Sequence, residues 1–204
     1  MAAHIDAGRL DKPAQVLDLR ETSPGVWEWV TIRRAWANIT LSGKTNLFSK
    51  VGVGARDAQI IVRRQALTPH QALLWGGRHL FLTAVTERGY NHLDVSAAVV
   101  SPVTCVAEGY TTVVGEGNRP QKVPKEPKTF PGVLTEKYVR YEPQESYAKS
   151  VRALVLVTPK AVQLEEGDLV TVREGPAQAV YNVQACHVLD EYKNEYEILY
   201  SKDV

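Results

Sequence analysis

The stretch VVGEGNRPQKVPKEPKTFPG, Val113 to Gly132, lies near the middle of a 204-residue chain and carries Pro120, Pro124, Pro127 and Pro131 with lysines between them. Proline has no amide hydrogen, and its ring obstructs the preceding helical turn. This spacing therefore rules out a helix and argues against a central strand. An extended polyproline-like strap or a mobile linker is expected instead. The chain then divides into a first β-domain over residues 1–107, a Pro/Lys-rich linker over 108–131 and a second β-domain over 132–204.

Upstream of the strap the dominant period is two, the signature of half-buried strands. Residues Ala14–Arg20 alternate, Ser23-Pro24-Gly25 reads as a turn, and Val26–Ile32 alternate again, so a hairpin is expected. A further strand is expected over Ala35–Leu41. Ser42–Arg56 is small, polar and basic and is expected to form a long loop. Strands follow at Ala58–Arg64, His79–Val85 and His92–Val99, with a short helix at Thr68–Leu74 capped by Thr68 and a turn at Gly76-Gly77.

Downstream, the order of events repeats. Strands are expected at Val133–Val139, Val151–Val157, Leu169–Val172, Ala179–Ala185 and Glu195–Tyr200. Ile60 then falls near Leu154 or Val155, Phe81 near Tyr181 and Val95 near Ile198, an offset of roughly 95–103 residues. The expected fold is mainly β with little helix: two small β-barrel or sandwich domains, related by a degenerate tandem duplication and joined by the strap.

Composition sets limits on function. At 44% hydrophobic and 23% charged, the chain is that of an ordinary globular protein. No apolar run approaches the ~18 residues that cross a membrane as a helix, and the first residues lack a signal-peptide core. Both point to an intracellular origin. The net charge of +1 divides into +4 over 1–107 and −3 over 108–204. That is too mild for a sequence-specific nucleic-acid binder but suited to docking between oppositely charged surfaces.

Catalytic and metal-binding patterns are weak. Gly52-Val53-Gly54 and Gly115-Glu116-Gly117 lack a full phosphate-loop pattern, and Gly43-Lys44-Thr45 lacks its upstream glycine. His70, His79 and His92 have no zinc spacing, and Cys105 and Cys186 read as free thiols. No metal or cofactor is expected. Glu165, Glu166 and Asp168 read as a solvated turn. Trp27 and Trp29 share one strand face, as a docking anchor or as core. Arg33-Arg34 and Arg63-Arg64 are basic pairs at strand ends that would line a channel or meet a neighbouring subunit.

Several short patterns occur in a telling order. Gly8-Arg9-Leu10 precedes Val16–Arg20, Trp36–Gly43 runs as a tryptophan strand into Ser-Gly, Ile60–Arg63 follows, and Gly77–Val85 gives a Gly-Arg-x-apolar strand. Over residues 8–100 this resembles the head–tail joining proteins of long-tailed bacteriophages, also called head-closure or stopper proteins. Many members of that family are about half this length.

The resemblance implies a small β-barrel assembled as a ring of roughly six or twelve copies, between portal or adaptor proteins above and tail terminator or tail tube proteins below. It implies a non-enzymatic virion protein of the neck, made in the host cytoplasm. It also implies that a long loop enters the channel and contacts double-stranded DNA without reading sequence. The matching positions are roughly Ser42 to Arg56, and the chemistry of that loop agrees: Lys44, Lys50 and Arg56 are the candidates to meet phosphates and Gly43, Gly52 and Gly54 the hinge candidates, while Trp27, Trp29, Arg33 and Arg34 are the interface candidates. The alternatives are a tail terminator or collar component and, from another class, a ligand-binding or enzymatic β-barrel.

Overall fold

The computed structural model describes residues 9–45, 56–114, 118–136, 154–175, 177–188 and 190–203. The described chain is mainly β, 75% strand and 1% helix. Its residues group into two compact units: unit 1 holds Met1–Arg20 and Glu28–Pro102, and unit 2 holds Glu21–Trp27 and Val103–Val204.

Unit 1 is built from β1 (Lys12–Ser23), β2 (Val26–Thr45), β3 (Arg56–Arg63), β4 (Ala72–Trp75), β5 (Arg78–Arg88) and β6 (His92–Val100), with the β1–β2 turn assigned to unit 2. Pairing runs β1–β4–β5–β6–β3–β2, and β2 also pairs with β1. The alternation of the sequence sets the faces. Ala37 and Ile39 of β2, Ala58, Ile60 and Val62 of β3, Leu80 and Leu82 of β5, and Leu93, Val95 and Ala97 of β6 all join one apolar core. Each such Leu, Ile or Val contributes about 1.5–3 kcal/mol by leaving water.

Unit 2 is built from β7 (Val103–Glu108), β8 (Tyr110–Val114), β9 (Pro120–Pro124), β10 (Lys128–Glu136), β11 (Leu154–Pro159), β12 (Leu169–Glu174), β13 (Ala177–His187) and β14 (Lys193–Asp203). Pairing runs β10–β11–β14–β13–β12–β7, and β7 also pairs with β10. Strands β8 and β9 form a separate two-stranded sheet. The other strands of each unit are paired as sheet rather than as a clean barrel.

The proline strap differs from its expectation. Residues 110–114 and 120–124 form the β8–β9 hairpin, and Pro131 lies inside β10. The placement explains the tolerance: Pro120 and Pro124 bound an edge strand, where a missing amide costs no ladder bond. Pro131 pairs with Thr104 of β7, whereas the β11 ladder begins at Val133. The amide lost at Pro131 therefore falls beside only one partner strand.

Three further expectations are corrected. The two strands expected over 26–41 are one 20-residue strand, so Arg33 and Arg34 sit within β2, not at its end. Thr68–Leu74 forms no helix: Gln71 N donates to Thr68 O at 3.0 Å, closing a single turn, and Ala72 then starts β4. Val103–Glu108, unassigned in the sequence reading, is a strand of unit 2. The β1–β2 turn needs its glycine: Gly25 has φ +74°, and a Cβ there would lie 2.7 Å from Pro127 O.

Candidate assembly and anion-contact surfaces

The β8–β9 hairpin is the most exposed regular element described. All ten of its residues are solvent-exposed, including Tyr110 at 64% and Val114 at 74%, with Val113 and Val123 beside them. Its ladder pairs Tyr110 with Pro124 through to Val114 with Pro120. Both faces are therefore wet, and β8 and β9 each keep one edge without a partner strand among the described residues. An isolated two-stranded hairpin is marginal in water, and a free apolar edge templates pairing with another chain.

At its base the hairpin is held by polar contacts. Lys125 N donates to Gly109 O at 2.8 Å, and Lys125 Nζ meets Glu165 at 2.6 Å and Asp168 at 3.6 Å. The hydrogen bond with Lys125 lowers the Glu165 pKa and raises that of Lys125. The acidic turn is thus not merely solvated. Asp168 is buried, and its Oδ2 accepts from Glu165 N at 2.8 Å.

The loop expected over Ser42–Arg56 is shorter. Gly43 and Lys44 lie in β2, which runs to Thr45, and Thr45 pairs with Arg56, the first residue of β3. Lys50, Gly52 and Gly54 lie outside the described residues. Arg56 lies on the same strand face as Ala58, Ile60 and Val62, and Arg78 on that of Leu80 and Leu82, beyond the last layer of the core. Both line a cavity of about 430 Å³ with Leu41, His79, Val99 and Ser101 among its walls.

The interface candidates divide. Trp27 and Trp29 are half-buried, and the Trp29 ring packs 5.2 Å from that of His79. Arg33 donates to Gln65 Oε1 at 2.9 Å and to Ala66 O, tying β2 to the β3–β4 connection, while Arg34 is exposed. Trp36, which the sequence reading used only for its resemblance, is 59% exposed. Its position was legible, because burial of Ala35 and Ala37 turns Trp36 outward.

His79 is buried, its Nε2 has no hydrogen-bond partner among the described residues, and desolvation pushes its pKa down to about 4. It is a neutral ring at pH 7. The Cys105 thiol is likewise pushed up by burial, to about 12, so it is a packing group and not a nucleophile. Among the described residues no three His, Cys, Asp or Glu side chains gather to hold a metal, and no helix is long and apolar enough to cross a membrane. No protein-family model, curated protein or solved structure matches the chain.

Proposed function

We propose that this chain is a structural, ring-forming protein of a tailed-phage neck, and that it assembles by strand addition between hairpins. The β8–β9 hairpin carries the reading. The β8 edge and the β9 edge, each without a partner strand among the described residues, are different surfaces, so β8 of one copy pairs with β9 of the next, head to tail. Heterologous contacts of this kind close into rings when the rotation allows. The occupant is a second copy of this chain. Unit 1 has 12 Lys/Arg against 7 Asp/Glu, or +5, and unit 2 has 12 against 16, or −4. Neighbours meeting unit 1 to unit 2 therefore attract, whereas like-to-like contacts repel.

The finer architecture belongs to the same proposal. Written from the first strand of each unit, and leaving out the β8–β9 hairpin, both pairing circuits take the order 1-2-3-6-5-4 and return to the first strand. This supports two closed six-stranded rings that arose by tandem duplication, with the hairpin inserted between the first two strands of the second copy. The neck assignment itself rests on the sequence resemblance over residues 8–100.

Negative-stain imaging of the purified chain with DNA-filled heads and with isolated tails tests the reading. Rings that attach to heads and retard DNA leakage are expected. Rings that cap tails alone would move the protein to the tail terminator, and a chain that binds neither would overturn the proposal.

A further inference from the structure

The cavity at the end of the unit 1 core has a donor-rich rim over an apolar floor. Arg56 and Arg78 continue the inward-facing rows of β3 and β5, where the preceding members are Ala58 and Leu80. Leu41 and Val99, on the matching rows of β2 and β6, pack against the core and form the floor. Ser101 adds a hydroxyl at the rim.

Among the described residues that line the cavity none is acidic. Among the described residues neither Arg56 nor Arg78 has a carboxylate within 4.0 Å, whereas Arg20, Arg64 and Arg88 each have one. The contact found for Arg78 is the Trp75 ring, 5.6 Å from its guanidinium, which steadies the group without neutralising it. Two planar guanidinium forks on the same cavity, carried by β3 and β5 on either side of β6, suit an oxyanion that accepts hydrogen bonds from both. A cavity of about 430 Å³ admits a phosphate ester with its sugar, within the usual range for small-ligand sites.

We infer that this cavity is a phosphoryl-group site, with Arg56 and Arg78 gripping the oxyanion and Ser101 completing the rim. The phosphoryl group comes from a free nucleotide or from a nucleic-acid backbone, and both present the same chemistry to the two arginines. This inference is independent of the hairpin and of ring assembly.

The test is NMR on the full chain, following the His79 ring and the Trp75 indole during titration with inorganic phosphate, AMP and a duplex of about 12 base pairs. Saturable shifts at both reporters are expected. Arg56→Gln and Arg78→Gln should each weaken binding at least about 10-fold, and Arg20→Gln should leave it unchanged. Shifts with phosphate and AMP assign the free ligand, and shifts with the duplex alone assign the backbone. Unmoved reporters with all three ligands would overturn the inference in the unaltered protein. So would shifts that persist undiminished in both variants, or that acetate reproduces at equal concentration.

Discussion

The two units follow one pairing order with different interiors. Unit 1 is held by an almost purely apolar core, and its polar misfit is His79, buried beside Trp29. Unit 2 buries a polar network as well. Tyr196 accepts from Leu164 N at 3.1 Å and donates to Val162 O at 3.2 Å, while Asn194 Nδ2 donates to Val162 O at 2.9 Å. Thr158 Oγ1 donates to the same carbonyl at 3.3 Å. These bonds pin the segment between β11 and β12, which brings Asp168 and Glu165 to Lys125 below the hairpin. Apolar area suffices where strands need only close on one another. Directional bonds are used where a loop must hold a projecting element at a fixed place.

The sharpest break in this comparison is a cavity in the unit 1 core. Ile60→Ala should cost about 2–5 kcal/mol, read as a loss in urea midpoint with unit 2 signals little changed. A simultaneous, equal loss from both units would show that the cores do not stand separately.

The next effect is a pH dependence belonging to His79. The unfolded ring protonates near its ordinary value of 6.5, while the folded ring resists protonation down to about 4. Between those values the unfolded state binds the extra proton. Stability is therefore full above about pH 6.5 and declines as the pH falls, by about 2 kcal/mol at pH 5. His79→Phe keeps a ring against Trp29 and removes the titration. Its stability should be flat between pH 7 and 5, and an unchanged slope in that variant would assign the effect elsewhere.

The unit 2 network gives a smaller effect. Tyr196→Phe leaves Leu164 N without its acceptor and should cost about 1–3 kcal/mol. Hydrogen exchange should quicken at Leu164 and in the 159–168 turn before it quickens in the unit 1 strands. Uniform exchange across the chain would remove the distinction drawn between the two interiors.

Much of the strand content was legible because alternation is a local signal. Ala58-Gln59-Ile60-Ile61-Val62 states its buried face in the sequence, and so do Leu93, Val95 and Ala97. Phe81 and Tyr181 lie in strands β5 and β13, and Val95 and Ile198 in β6 and β14. The strap was misread because proline's cost depends on which side of a strand lacks a partner, a tertiary fact that spacing does not encode. The short helix failed for a related reason: Thr68-Pro69 starts a turn as readily as a helix, and pairing of Ala72–Trp75 with β1 and β5 decides between them. The juxtaposition of Arg56 with Arg78 was not legible at all, since it depends on the β5–β6–β3 register.

The central claim is that copies of this chain join through β8 and β9. Its most direct test is the solution mass by light scattering of the full chain, beside a variant in which residues 111–123 are replaced by a short Gly-Ser turn. The account predicts a closed multiple of 22.6 kDa for the full chain and a folded single copy for the variant, with the melting transition of unit 1 unchanged. A full chain that stays at 22.6 kDa at every concentration, or a trimmed chain that still assembles, would contradict it.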